Sequence, residues 1–208
     1  MTLIDISPRI DPSIAVWPGD TPYVRTVSLD MHEGANLTLS DIRTTVHVGA
    51  HADAPSHYSA AGEDIAERNL HYYIGACDVL HAPDTRGRRI MPADLAGKPI
   101  TASRILLRTD SFPDPRNWNN DFASLSRELV DWLHGLGVIT IGIDTPSVDP
   151  FDDKVLEAHQ ALARHDMANL EGLVLDQVAE GRYELIALPL KLAGADGSPV
   201  RAILRTLA

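Results

Sequence analysis

The sequence contains few of the residues on which several classes of protein depend. A single cysteine, Cys77, occurs among 208 residues, which excludes an intrachain disulfide framework and a zinc site of four cysteines. Lysine and arginine total 18 against 29 aspartates and glutamates, giving a formal net charge of −11. The basic face that binds nucleic acid or an anionic membrane is therefore missing. No apolar run approaches the roughly 20 residues that span a bilayer, and Asp5 replaces the basic start of a signal peptide. We therefore expect a cytoplasmic protein.

Motifs of several large enzyme classes are also missing. The sequence has no G-x-S-x-G nucleophile elbow, which argues against an α/β-hydrolase. It has no G-x-x-x-x-G-K-[ST] phosphate loop, no G-x-G-x-x-G turn and no H-E-x-x-H pair. Cys77 lies in the apolar run GACDVL with no catalytic signature around it. We expect a small buried side chain there rather than a nucleophile.

The chain predicts one mixed α/β domain over residues 1–208, with a core built mostly from strands. Five apolar or alternating segments predict strands, at 37–48, 104–109, 138–143, 183–190 and 200–205. Two segments with apolar residues at helical spacing predict helices, at 124–136 and 153–164. Because strands outnumber helices and do not alternate strictly with them, a doubly wound parallel sheet is not expected.

The segment HVGAHADAPSH concentrates four metal-ligand side chains within eleven residues: His47, His51, Asp53 and His57. All four are odd-numbered, so they share one face of an extended chain. A straight strand would spread them over ~33 Å, and we therefore expect the chain to bend near Gly49 and Pro55. A continuous helix fits worse, because Pro55 would break it.

Imidazole and carboxylate groups are typical ligands of Zn²⁺, Mn²⁺ and Fe²⁺ in hydrolases. His47, His51 and Asp53 could hold one catalytic metal and leave an open position. The alternative is a polar strand with solvated histidines, which four ligand-type residues on one face make less attractive. A second metal would need ligands from elsewhere, and His159 and Glu171 are candidates. A surface or core histidine and a solvated glutamate are equally good interpretations of those two.

The run HVGAHADAPSHY resembles the histidine signature of the cyclase-like metal hydrolases, and in particular their bacterial kynurenine formamidase (arylformamidase) branch. Further matches are VWPGDTPY, IGIDTPSVDP, HDMANLEGL and LPLKLAGADGSPVRAIL, so the resemblance covers nearly the whole chain. It implies a β-rich, swivelling β/β/α fold, a homodimer and a centre of two zinc ions per subunit. The implied zinc ligands are His47 and His51 on the first ion, His159 on the second, and Asp53 and Glu171 bridging both.

The resemblance also implies the hydrolysis of N-formyl-L-kynurenine to L-kynurenine and formate in tryptophan degradation. His57 would then be the general acid and base, since the arylamine leaving group needs a proton and imidazole titrates near neutral pH. The alternative for His57 is a further zinc ligand. Trp17 would contact the substrate by this resemblance, whereas the sequence alone favours a packing aromatic beside Pro18. Ala50 departs from the family pattern, in which threonine is frequent.

Two other functions remain open from the sequence. One is a different amidohydrolase of the same superfamily, such as an isatin hydrolase that uses manganese. The other is a metal-binding module without catalysis, which would leave no open coordination position and show no turnover.

Overall fold

A curled sheet of nine strands lies at the centre of the computed structural model, which describes residues 1–207. In spatial order these strands are β1 (Leu3–Asp5), β13 (Ile203–Thr206), β11 (Gly181–Ile186), β5 (Ile74–His81), β7 (Arg104–Arg108), β9 (Thr140–Ile143), β10 (Ala168–Glu171), β4 (His51–Asp53) and β12 (Gly197–Pro199). Outside this sheet, β2 (Val24–Leu29) pairs with β3 (Leu39–Arg43), and β6 (Arg89–Ile90) pairs with β8 (Ser124–Leu125).

The helices are short. The two α-helices of the described residues are α1 (Arg127–Gly135) and α2 (Glu157–Arg164), and the 3₁₀ helices are Met31–Glu33, Pro55–His57, Leu70–Tyr72 and Pro92–Leu95. No helix among residues 1–207 is long and apolar enough to cross a membrane.

The middle of the sheet is parallel and its two flanks are antiparallel. Strands β5, β7, β9 and β10 run in one direction, because α1 connects β7 to β9 and α2 connects β9 to β10. Strands β7, β9 and β10 are buried on both faces, as parallel strands usually are, whereas β5 is exposed at its start.

Apolar clusters cover the two faces of the sheet. Leu133 of α1 and Leu162 of α2 pack in one cluster with Ile141 of β9, so both α-helices cover the same face. The other cluster contains Ala52 of β4 and Leu204 of β13, which belong to strands near opposite edges, because the sheet curls. The expected mixed, β-rich fold is confirmed, and helices on one face only distinguish it from a doubly wound sheet.

The predicted strand over 37–48 is confirmed only over Leu39–Arg43 and is wrong beyond Arg43. Its partner β2 begins at Val24, shortly after Pro22, whose nitrogen has no hydrogen to extend the ladder. The chain then turns, with Gly49 at a φ of 62°, before β4 begins at His51. His47 therefore lies in a turn and not on the same strand as His51. The bend at Gly49 itself is as predicted.

Both predicted helices begin later than expected. The chain over 124–125 forms β8, and Ser126 caps α1 by accepting a hydrogen bond from the Leu129 amide at 3.0 Å. Helix α2 begins at Glu157, because Leu156 takes a left-handed φ of 56° that ends any helix starting before it.

The remaining strand predictions differ from the structure only at their ends. Strand β11 stops at Ile186, and Pro189, which cannot donate to a ladder, lies within the predicted extension. Strand β13 begins at Ile203 rather than at 200. Cys77 is fully buried in β5, and burial raises the pKa of its thiol to about 12. The prediction of a buried small side chain is therefore confirmed.

Candidate metal centre

Four separate segments bring the five predicted ligands together. His51 and Asp53 alternate along β4, Glu171 is the last residue of β10, His159 lies on α2, and His47 comes from the turn before β4. Strands β4 and β10 are antiparallel neighbours in which His51 pairs directly with Glu171. This pairing places the candidate ligands of the two strands side by side.

Each of the two carboxylates faces two histidines. Asp53 presents Oδ1 to Nε2 of His51 at 3.5 Å and Oδ2 to Nε2 of His159 at 3.3 Å. Glu171 presents Oε2 to Nε2 of His51 at 3.3 Å and Oε1 to Nε2 of His159 at 3.5 Å. His47 joins from the side, with Nδ1 2.9 Å from Oδ1 of Asp53. The arrangement gives two ligand groups that share their carboxylates.

The imidazoles of His51 and His159 are held by hydrogen bonds at Nδ1, on the side of each ring away from Asp53 and Glu171. His51 Nδ1 lies 2.9 Å from the carbonyl oxygen of Gly49, and His159 Nδ1 lies 2.8 Å from Oδ2 of Asp149. A donor role at Nδ1 leaves the lone pair of Nε2 facing the carboxylates, which is how metal-binding histidines are usually oriented.

Asp149 is a further candidate functional residue, which the sequence did not reveal. Its carboxylate accepts hydrogen bonds from the amides of Ala158 and His159 at 3.0 Å each, so it caps the start of α2. Although burial opposes ionisation, hydrogen bonds from His159 and Ala158 hold its pKa below the usual range. One carboxylate therefore starts the helix and orients the histidine that the helix carries. Its position ten residues before His159, within IGIDTPSVDP, was the available signal.

Asp53 and Glu171 are buried, with exposed fractions of only 1% and 3%. Among residues 1–207, histidines are the only basic side chains at salt-bridge distance from them. Burial opposes ionisation of Asp53, yet hydrogen bonds from His159 and His47 hold its pKa well below the usual range. Burial and Asp53 oppose ionisation of Glu171, but the imidazoles still lower its pKa. The side-chain amide of Asn169 donates from Nδ2 to Oδ2 of Asp53 at 2.6 Å and to Oε1 of Glu171 at 3.0 Å.

The pKa values of His47 and His159 shift in the opposite direction. Burial alone would lower the pKa of His47, but hydrogen bonds to Asp53 and Asp196 raise it to about 9. For His159, hydrogen bonds to Asp149 and Asp53 outweigh burial and raise the pKa well above its usual value. Asp53 and Glu171 thus attract positive charge in a buried region, and among residues 1–207 neither has a lysine or arginine at salt-bridge distance.

The donor set fits divalent metal ions. One ligand atom from each of His47, His51 and Asp53 lies within 4.8 Å of the others, and the same holds for Asp53, His159 and Glu171. Asp53 belongs to both groups, and imidazole with carboxylate suits Zn²⁺, Mn²⁺ or Fe²⁺. A cation would also neutralise the two buried carboxylates.

His57 lies at the edge of this group, on the 3₁₀ helix that Pro55 begins. Its side chain is 35% exposed, and its ring centre is 4.2 Å from that of His47 and 6.0 Å from that of His159. His57 Nδ1 lies 3.1 Å from Oδ2 of Asp196, a residue that the sequence reasoning did not select although it belongs to the GADGSPV stretch. His47, His57 and Asp196 form a third group with ligand-like spacing, so a ligand role for His57 remains an alternative.

A cavity of about 270 Å³ opens above the centre. Its lining includes His51, His57, His159 and Glu171 at one end and the aromatic rings of Trp17, Phe112 and Trp118 elsewhere. Trp17 is half-buried, stacks on Phe151 at a ring distance of 5.0 Å and meets Trp118 edge-on at 5.2 Å. Trp17 thus both packs in an aromatic cluster and lines the cavity.

Comparison with known proteins places the chain in a family. The Cyclase family model matches residues 4–150. Kynurenine formamidase of Maricaulis maris (strain MCS10) is 44% identical over 204 residues, covering 98% of this chain and 97% of that protein. Kynurenine formamidase of Bordetella petrii is 46% identical over 209 residues, covering 99% and 98%. A solved structure described as a potential metal-dependent hydrolase with cyclase activity superposes with a TM-score of 0.84 at 26% identity, covering 98% of this chain and 96% of that one.

Proposed function

The chain belongs to the Cyclase family, and we propose that it hydrolyses N-formyl-L-kynurenine to L-kynurenine and formate, as a step of tryptophan degradation. The kynurenine formamidase relatives and the metal-dependent hydrolase of the same fold confirm the expectation of a metal-dependent amidohydrolase. The observation that carries the specific reaction is the shared ligand group at one end of an aromatic-lined cavity, with His57 at its edge.

We assign the metal-ligand roles to the five converging side chains. Two zinc ions per subunit are supported by the way Asp53 and Glu171 each direct one oxygen toward His51 and the other toward His159. When bound, the divalent ions would act as Lewis acids that polarise the formyl carbonyl and activate water. His47 completes the group that contains His51.

His57 is proposed to move the proton that the reaction requires. Cleavage of the formyl C–N bond leaves the electron pair on the aryl nitrogen, and an arylamine anion leaves poorly without a proton. The imidazole is 35% exposed and lines the cavity beside the ligand group. From this position it would reach both the attacking water and the departing nitrogen. It accepts a proton from the water and delivers one to the nitrogen.

The cavity supports a small aromatic substrate. Its volume of about 270 Å³ lies close to the lower bound of small-molecule pockets, roughly 300 Å³. Trp17 and Trp118 present ring surfaces on which an aryl group can stack, which favours a substrate-binding role for Trp17.

The test is turnover of N-formyl-L-kynurenine by protein freed of metal with a chelator and then supplied with Zn²⁺, Mn²⁺ or Co²⁺. We expect activity to depend on the added metal, to be restored by Zn²⁺, and to fall strongly in Glu171→Gln. The matched control is Glu180→Gln, which removes a carboxylate paired with Lys98 outside the centre. Isatin is tested in parallel. Preference for isatin would favour the manganese isatin hydrolase, and bound metal without turnover of either compound would favour a non-catalytic module.

The homodimer is proposed from the exposed β2–β3 ribbon. Each residue of both strands is exposed, and one face of the ribbon presents the large apolar side chains of Val27 and Ile42, which are 39% and 64% exposed. A second copy of the chain would cover them. Sedimentation should show a dimer that Ile42→Lys weakens, whereas Thr26→Lys, on the opposite face of the ribbon, should weaken it less. A wild-type monomer at micromolar concentration would refute the proposal. Cytoplasmic localisation stays an expectation that cell fractionation can test.

A further inference from the structure

We propose that Asp196 is a positioning residue that fixes the orientation and tautomer of His57, so that Nε2 of His57 carries the proton in hydrolysis. This proposal rests on the proposed function and deepens it. Nδ1 of His57 lies 3.1 Å from Oδ2 of Asp196, and Nε2 of His47 lies 3.1 Å from the same oxygen. One carboxylate oxygen therefore links a proposed metal ligand to the proposed acid.

The backbone holds Asp196 firmly although its side chain is half-exposed. Its carbonyl oxygen accepts a hydrogen bond from the Ala54 amide at 2.9 Å. The next residue, Gly197, begins β12 and pairs with Asp53 in the antiparallel ladder to β4. Asp196 is thus attached to the strand that carries His51 and Asp53, and its position is set by the same ladder.

Gly197 brings the backbone next to Asp196 against the ring of His47. A Cβ at this position would lie 2.8 Å from Cε1 of His47 and 3.1 Å from the carbonyl oxygen of Ala52. Both distances are shorter than ordinary contact. A residue without a side chain is therefore required here, and the close approach keeps the Asp196 carboxylate within hydrogen-bond distance of both imidazoles.

The hydrogen bond to Asp196 determines which nitrogen of His57 transfers the proton. A carboxylate only accepts hydrogen bonds, so it favours the tautomer in which Nδ1 of His57 carries the hydrogen. Nε2 is then free to take a proton from the attacking water. As the C–N bond breaks, the same Nε2–H delivers that proton to the aryl nitrogen, which receives the bonding electron pair. The proton taken from the water and the electron pair of the broken C–N bond both end on the aryl nitrogen, so the step needs no other reactant.

Asp196→Ala removes the acceptor, and Asp64→Ala is the matched control. Asp64 accepts a hydrogen bond from the Gly194 amide at 2.5 Å, so it supports the same loop, and no imidazole contact is recorded for it among residues 1–207. With zinc bound, we expect Asp196→Ala to lower kcat for N-formyl-L-kynurenine about 100-fold, within the range of positioned acid–base catalysis. Its KM and zinc content should stay close to wild type. Asp64→Ala should leave kcat within about twofold.

Two readouts separate positioning from a merely structural role. An activated formyl ester, whose phenolate leaves without a proton, should lose much less activity than the amide in Asp196→Ala. Long-range ¹H–¹⁵N NMR of the zinc-loaded protein should show His57 protonated at Nδ1 in the wild type and in Asp64→Ala, and shifted toward the Nε2–H tautomer in Asp196→Ala.

Several results would overturn the proposal. Loss of zinc in Asp196→Ala would show that Asp196 supports the metal centre, directly or through His47, instead of positioning His57. Equal losses on amide and ester, or an unchanged His57 tautomer, would exclude positioning. A wild-type protein that does not hydrolyse N-formyl-L-kynurenine with any metal would refute the proposed function instead. The NMR comparison would still decide whether Asp196 sets the tautomer of His57.

Discussion

Substituting Gly172 by alanine should disturb the metal centre without touching any ligand. Gly172 directly follows Glu171 and has a φ of 63°. A Cβ there would lie 2.2 Å from the carbonyl oxygen of Gly49 and 2.9 Å from its carbon. That carbonyl oxygen is the atom 2.9 Å from Nδ1 of His51. One added methyl group therefore pushes directly on the group that orients a ligand.

The expected cost has three parts. A left-handed φ costs a non-glycine residue ~1–2 kcal/mol, overpacking against rigid backbone costs ~1–3 kcal/mol, and a weakened His51 hydrogen bond costs about 1 kcal/mol. Gly172→Ala should thus lower the free energy of unfolding by roughly 3–6 kcal/mol, the sum of these ranges. Metal affinity should fall ~10–100-fold, as is usual when the group orienting a ligand is disturbed.

Gly194→Ala is the control for this prediction. Gly194 has a similar φ of 75°, but nothing lies within 4 Å of a Cβ at that position. The free energy of unfolding of Gly194→Ala should therefore fall only by the ~1–2 kcal/mol that a left-handed conformation costs a non-glycine residue. Its metal affinity should stay unchanged. Urea unfolding and competitive metal titration with a chromogenic chelator measure both quantities. Equal destabilisation of the two variants, or unchanged metal affinity in Gly172→Ala, would refute the reasoning.

Three further predictions concern the centre itself. Elemental analysis and zinc titration should give two ions per chain, and a stoichiometry that never exceeds one in excess zinc would remove the shared arrangement of Asp53 and Glu171. Asp53→Ala should cost more activity than His159→Ala, because Asp53 faces both ligand groups; comparable activity with full metal in both would contradict this. His57→Ala should keep its zinc and lose ~10²–10⁴ in amide turnover but less with an activated ester. Loss of zinc would instead identify His57 as a ligand.

The candidate site was largely accessible to sequence reasoning, because alternation along a strand is a local property. His51 and Asp53 do alternate along β4, as predicted. His47 reaches the same group by a different route, since a turn through Gly49 and not a continuous strand brings it near Asp53. The pattern was informative although the local structure inferred for His47 was wrong.

Other features depend on contacts between distant segments, which a pattern in one segment does not contain. Asp149 and Asp196 are aspartates in turns by sequence alone, and only the packed chain shows that each contacts an imidazole. Helix α2 begins at Glu157 for a related reason, because its amides are capped by Asp149 from outside the predicted segment. The parallel centre of the sheet likewise depends on how α1 and α2 cross over it.

The sequence distances within the proposed ligand group connect metal binding to the completion of folding. Asp53 meets His159 across 106 residues and Asn169 across 116. Contacts of such long range form late, because loop closure must precede them. A nascent or truncated chain that ends before His159 has only the histidine-rich turn and strand, so tight uptake of metal waits for most of the polypeptide. Once bound, the ion stabilises the native state alone, by ~4 kcal/mol at a thousandfold excess over its dissociation constant, and thereby joins the two halves of the chain.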